Sequence, residues 1–223
     1  MTYRLGMARR YEHVIFDLDG TLIDSRADLA TAVNHTVRRF DLPTLSLQRV
    51  STYVGEGART LVERALGPQH REQLDAALPL FLEHYGAHLL DETHAYPGIA
   101  EMLTALTARG VALSVLTNKP VVMSRRILAA LGLLDCFVAV IGGDSLPARK
   151  PDPVGLRHLC AVTAVPLERT LLVGDSMVDF NTAHAAGVAF CGVAWGFQPD
   201  ALRAAAERIV AHPGDLLAVV GDN

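Results

Sequence analysis

The chain has 223 residues, half of them hydrophobic, and a formal net charge of −4, which suits one large domain or two modest ones. An acidic balance without a long Lys/Arg run excludes a basic nucleic-acid surface, and no apolar stretch is long enough to span a bilayer. The early arginines have no hydrophobic segment behind them, so no secretory leader is expected and a cytoplasmic protein is the simplest reading. Residues 1 to about 10 read as a loose extension, with Met7 as an alternative start. Arg9-Arg10, Arg38-Arg39 and Arg125-Arg126 read as solvated pairs. Cys136, Cys160 and Cys191 are odd in number and lack metal-type spacing, so reduced buried thiols are expected.

His13 to Phe16 is a short, apolar, β-branched run that predicts a buried strand, broken by Gly20 and Thr21. Asp17 and Asp19 then project from its carboxyl end, where open α/β sheets bind ligands. Two anions this close repel each other and need a cation; oxygen ligands favour Mg²⁺, which also recruits phosphate oxygens. A long helical stretch follows. Ser25 with Asp28 predicts a capping pair for a helix running to about Phe40, Pro43 ends it, and Ser46 starts a short helix. Ala58 to Leu66 is helical, with Leu61, Val62, Ala65 and Leu66 apolar. Gln69 to Leu90 is helical too, with Pro79 expected to kink or split it. No strand is expected in this insert. His84 and His88 share a helical face, which reads as a solvated helix rather than a metal site. Gly55-Glu56-Gly57 follows no strand, so it does not qualify as a phosphate-cradling loop.

The α/β pattern resumes after the Tyr96-Pro97-Gly98 turn. Helices are expected at Ile99 to Arg109, closed by Gly110, and at Val121 to Leu131, closed by Gly132. Two more follow at Pro153 to Val162 and at Met177 to Ala186, closed by Gly187. Strands are expected at Val111 to Thr117, Phe137 to Ile141, Thr170 to Asp175 and Phe190 to Ala194. The alternation predicts an α/β fold, a Rossmann-like parallel-sheet core with an inserted all-helical cap. The core takes residues 1–25 and 95–223, and the cap residues 26–94. Thr117, Asn118, Lys150, Asp175, Ser176 and Asp179 all lie at the end of a predicted strand or shortly after one, so they share one sheet edge with Asp17 and Asp19. A hydroxyl, an amine and several carboxylates suit an anion held beside a metal.

The ordered set DLDGT (Asp17 to Thr21), Thr117 with Asn118, Lys150, and GDSMVD (Gly174 to Asp179) resembles the phosphatases of the haloacid dehalogenase superfamily. The likeness runs from His13 to about Val220. Dehalogenases of that superfamily typically lack the second aspartate of the first motif, so Asp19 favours phosphoryl transfer. The resemblance implies that Asp17 attacks phosphorus to form an aspartyl phosphate and that Asp19 acts as acid, then base. It implies Mg²⁺ held by Asp17, the Asp19 backbone carbonyl and Asp175. Thr117 and the Asn118 backbone N–H would bind the phosphate and Lys150 would neutralise it. Ser176 and Asp179 would support the site, Asp179 being either half of a capping box or a group behind the ligands. Pro151 is a candidate to follow a cis peptide bond, and Lys119 reads as peripheral.

Tyr53 to Gly67, YPG at 96 to 98, LTNKP at 116 to 120 and IGGDSLPARKPDP at 141 to 153 resemble segments of bacterial phosphoglycolate phosphatases. That implies a small phosphorylated metabolite, 2-phosphoglycolate, hydrolysed to glycolate and phosphate. Gly55 and Gly57 would form a tight cap loop near the site, and Arg59 or Arg64 would read the substrate carboxylate. A phosphatase for another small ester, such as a sugar phosphate, is one alternative. A phosphoglucomutase-type phosphotransferase is a second, disfavoured by a cap loop less basic than those of the mutases. A non-catalytic binding module with the same fold is a third, disfavoured because Asp17 and Asp19 are both present. Monomer and homodimer both remain open.

Overall fold

The structure is a computed structural model that describes residues 10–221; Met7, Arg9 and the rest of the expected N-terminal extension lie outside the described residues, apart from Arg10. The central strand β1 (His13–Phe16) is buried throughout. Successive side chains of a strand point to opposite faces. Val14 and Phe16 therefore join one apolar cluster, while Ile15 packs with Leu156, Leu159 and Leu172 in another. His13 is fully buried between Ser114 Oγ at 2.9 Å and Thr163 Oγ1 at 3.2 Å. Burial pushes its imidazole down to about 4.

After β1 the chain forms β2 (Ile23–Asp24), then four helices: α1 (Arg26–Arg38), α2 (Leu47–Ser51), α3 (Ala58–Leu66) and α4 (Leu74–Ala87). It rejoins the sheet region through β3 (His94–Ala95), which pairs antiparallel with β2, Ile23 opposite Ala95 and Asp24 opposite His94. This two-residue ladder clamps the two ends of the insert, within which no strand occurs; it is too short to leave any periodic signal. Ser25 does not cap α1. Its hydroxyl donates instead to Asp19. Asp28 accepts from Glu92 N–H, Thr93 N–H and Thr93 Oγ1, tying the first turn of α1 to the segment leading into β3. Ser46 does cap α2, through Arg49 N–H.

Pro79 neither ends nor splits α4; the irregularity falls earlier, in a 3₁₀ stretch at Pro68–Gln73 with His70 outside helical geometry. A mid-helix proline costs about 3 kcal/mol. Burying the α4 face of Leu74, Ala77, Phe81 and Tyr85 outweighs it, since a fully buried large apolar side chain contributes roughly 1.5–3 kcal/mol. That face packs against α1 and α3.

The remaining chain alternates helices and strands: α5 (Ile99–Ala108), β4 (Ala112–Leu116), α6 (Val121–Ala130), β5 (Ala139–Ile141), α7 (Val154–Thr163), β6 (Thr170–Gly174), α8 (Met177–Ala186) and β7 (Ala189–Val193). It closes with α9 (Pro199–Arg203), β8 (Ile209–Val210) and α10 (Leu216–Val220). The sheet order is β5-β4-β1-β6-β7-β8, and every pairing in it is parallel. β8 adds a sixth strand to the five expected. The chain builds outward from β1 on one side through β4 and β5, then on the other through β6 to β8. The carboxyl end of β1 therefore lies at the reversal of strand order, where a crevice opens. No helix among the described residues is long and apolar enough to cross a membrane.

Candidate active site

Parallel pairing of β4, β1 and β6 delivers Thr117, Asp17 and Asp175 to one edge. Asp17 N–H donates to Val173 O and Thr117 N–H to Ile141 O, so both residues are the last to be held by the sheet. Asp17 is buried; its Oδ1 accepts from Leu18 N–H at 2.7 Å and pairs with Lys150 Nζ at 2.8 Å. Lys150 Nζ also donates to Asp179 Oδ1 at 2.6 Å. Asn118 Nδ2 donates to Lys150 O and to Gly55 O, each at 2.9 Å, which fixes the lysine backbone and pins the Gly55 loop over the core. The Lys150–Pro151 bond is cis.

Asp179 makes two sets of contacts. It completes a capping box with Ser176 at the start of α8, and it is the second carboxylate on Lys150. Oxygens of Asp17, Asp175 and Asp179 all lie within 4.8 Å of one another. Asp175 is further fixed by Phe197 N–H at 2.7 Å. Gly20 passes against the Asp175 carboxylate with φ +81°, so a side chain there would be strained and would collide with it.

Three buried carboxylates thus share one ammonium. Burial, then the charge of Asp179, lifts the Asp17 carboxyl to about 7, and the same two causes lift Asp175 well above the carboxylate range. Lys150 moves the other way: burial works against its charge, but Asp17 and Asp179 prevail and raise it. An all-oxygen, net-anionic cluster of this size fits a hard divalent cation, which would relieve both shifts.

Asp19 has separate surroundings. Both carboxylate oxygens bind Lys119 Nζ, at 2.7 and 2.8 Å, and Oδ1 also accepts from Ser25 Oγ at 2.6 Å. Lys119 is buried, and its Nζ lies 4.8 Å from the ring centroid of Tyr85 on α4. The expectation that Lys119 is peripheral is therefore corrected. Lys119 N–H donates to Thr117 Oγ1 at 3.2 Å, so the turn after β4 aims this lysine inward.

A cavity of about 40 Å³ lies between α3, α4 and this sheet edge, bordered by Asp17, Asp19, Thr117, Asn118, Gly55 and Gly57 among others. Gly55 and Gly57 have φ of +120° and +90°. Arg59 and Arg64 do not border the cavity. Arg59 pairs with Asp75 and Arg64 with Glu56, both in exposed settings. His84 stacks on His35 with ring centroids 3.9 Å apart, and His88 binds Asp91. Among the described residues these histidines form no metal-ligating group.

Residues 14–193 match the family model of the haloacid dehalogenase-like hydrolases. The phosphoglycolate phosphatase of Rhodospirillum rubrum is 43% identical over 195 residues, covering 84% of this chain and 81% of the relative. That of Nitrosospira multiformis is 41% identical, covering 82% and 83%. The crystal structure of a predicted phosphoglycolate phosphatase from Haemophilus somnus superposes with a TM-score of 0.89 at 33% identity, covering 94% of this chain and 98% of that one. The chain belongs to the haloacid dehalogenase-like hydrolase family. Within it, the chain is a phosphatase, a phosphoric monoester hydrolase acting on a small phosphorylated substrate.

Proposed function

We propose that the protein hydrolyses 2-phosphoglycolate to glycolate and phosphate in the cytoplasm through an aspartyl-phosphate intermediate. The observation that carries the chemistry is the Asp17 carboxylate at the carboxyl end of β1, held by Lys150 at 2.8 Å beside Asp175 and Asp179. The substrate assignment rests on the relatives and on a cavity far smaller than the ~300 Å³ at which drug-sized ligand sites begin.

Asp17 attacks phosphorus, forming the Asp17–phosphorus bond as the bond to the leaving oxygen breaks. Asp19 gives its proton to that oxygen, releasing glycolate. It then takes a proton from the water that cleaves the aspartyl phosphate. Lys150 offsets charge on Asp17 and on the phosphoryl oxygens. Thr117 and the Asn118 backbone N–H orient the phosphate. Mg²⁺, held by Asp17, Asp175 and the Asp19 carbonyl, would supply electrophilic stabilisation of the phosphoryl charge. Ser176 and Asp179 keep Lys150 aimed.

Residues 26–94 serve as a cap over a core formed by 1–25 and 95–223. The cap excludes water and limits substrate size through α3, α4 and the Gly55–Gly57 loop. The test is steady-state kcat/KM with Mg²⁺ for 2-phosphoglycolate, glucose 6-phosphate and p-nitrophenyl phosphate. 2-Phosphoglycolate is expected to lead; a clear win for the hexose phosphate would refute the substrate assignment and leave the phosphatase chemistry standing.

A further inference from the structure

The cavity over Asp17 is bordered by one basic side chain, Lys119. The arginines expected to read a carboxylate are engaged elsewhere, outside it. Beside Lys119 stands Tyr85, only 2% exposed and bordering the same cavity. Its hydroxyl is buried and has no well-aligned hydrogen-bond partner; the Lys119 ammonium lies over its ring and within reach of the hydroxyl, but poorly aligned with it. A buried unpaired hydroxyl is costly to leave unsatisfied. An anion entering the cavity would satisfy it.

We propose that Lys119 and Tyr85 form the subsite for the substrate's carboxylate arm, and that Lys119 exchanges Asp19 for that arm on binding. The inference rests on the reading of the substrate as a carboxylate-bearing phosphate ester. Charge accounts for the selectivity. Lys119 Nζ holds both oxygens of Asp19, so Asp19 is tied away from the leaving oxygen while the pair persists. An incoming carboxylate replaces one anion at the ammonium with another, and Asp19 leaves the pair by taking up the proton of the substrate's phosphate monoanion, so neither Lys119 nor Asp19 is left as an unpaired buried charge. A neutral arm offers no replacement, and separating a buried ion pair without one is strongly unfavourable. The carboxylate is thereby both recognised and made the condition for releasing Asp19 to its proton transfer. The Tyr85 hydroxyl donates to the second oxygen of the arm.

The experiment measures kcat and KM of wild type, Lys119→Met, Lys119→Arg and Tyr85→Phe. The substrates are 2-phosphoglycolate and ethyl phosphate, which keeps the two-carbon chain but lacks the carboxylate. Wild type should prefer 2-phosphoglycolate in kcat as well as in kcat/KM. Lys119→Met should collapse that preference by roughly 100-fold and Lys119→Arg should restore part of it, the scale expected for a charge-assisted contact. Tyr85→Phe, which keeps the packed ring and so the fold, should lower the preference roughly tenfold. A preference that survives in Lys119→Met and Tyr85→Phe overturns the inference alone, as does an equal fall on both substrates. Absence of any preference in wild type overturns the inference together with the substrate reading beneath it.

Discussion

Two buried lysines serve the two aspartates that follow β1, and their surroundings differ in charge balance. Lys150 stands against Asp17 and Asp179 with Asp175 close by, one ammonium for three carboxylates. Lys119 stands against Asp19 alone, one for one. The first arrangement leaves carboxylate charge unmatched and fits a cation. The second is complete and opens only when something of like charge takes the place of its anion. Proximity to the same strand end therefore does not give two lysines the same task; the count of carboxylates around each one does.

Asp17→Asn should lower kcat by at least ~10⁴-fold, the scale for losing a nucleophile, with unchanged circular dichroism. Near-wild-type turnover by a folded variant would sink the covalent mechanism. Stripping divalent cations with EDTA should lower turnover by roughly 10³-fold, restored by Mg²⁺, because the Lys150 side of the site lacks cationic charge. Full activity in metal-free protein would show that three carboxylates coexist there without one.

The stability of the two lysine sites separates them further. Lys150→Met should cost about 3–5 kcal/mol in urea unfolding, and Mg²⁺ should return part of it. Lys119→Met should also destabilise, but Mg²⁺ should add no more to it than to wild type. Equal rescue of both variants would mean that the two lysines do not differ in charge balance.

His13 supplies a control for any pH profile. Its folded pKa of about 4 lies below the ordinary imidazole value of 6.5, so between those values the unfolded chain binds more protons. Its contribution is complete above about 6.5 and is lost as pH falls toward 4. The urea midpoint should drop between pH 7 and pH 5, and drop less in His13→Gln. A rate loss with that midpoint shift reports unfolding, not titration of the aspartates. The smallest effects belong to Arg59→Ala and Arg64→Ala. Exposed ion pairs contribute about 0–1 kcal/mol, and the preference for 2-phosphoglycolate should move less than ~2-fold. A tenfold erosion in either variant would shift carboxylate reading away from Lys119.

Much of the fold was legible because its signals are local. β1 and β6 are apolar runs ending in aspartate, and Gly110, Gly132 and Gly187 mark the ends of helices. β8, with two residues, carries no period. β2 and β3 exist only because their partners lie seventy residues apart in the chain, a pairing that no window of sequence contains. The placement of Arg59 and Arg64 outside the cavity follows from helix spacing. In α3, Leu61, Val62 and Leu66 are buried, and helical spacing turns residues 59, 60, 63 and 64 away from that stripe. Lys119 and Tyr85 were not legible as a pair. One follows a core strand and the other lies mid-helix in the insert, and they meet only after the insert folds back over the sheet.

The β2–β3 ladder has a consequence for how this molecule tolerates change. The chain leaves the core at Asp24 and returns at His94, residues that face each other across that ladder. To the core, everything between them is a single excursion whose ends are already clamped together, and the entropy of closing it grows only with the logarithm of its length. Sequence can therefore be lengthened, shortened or exchanged between those two points with little effect on how the sheet assembles. The continuous apolar cluster joining Leu29, Leu61 and Phe81 to Val14 and Phe16 sets the opposing constraint, since a replacement must cover that surface. The junction gives evolvability, and the shared core decides which substitutes survive.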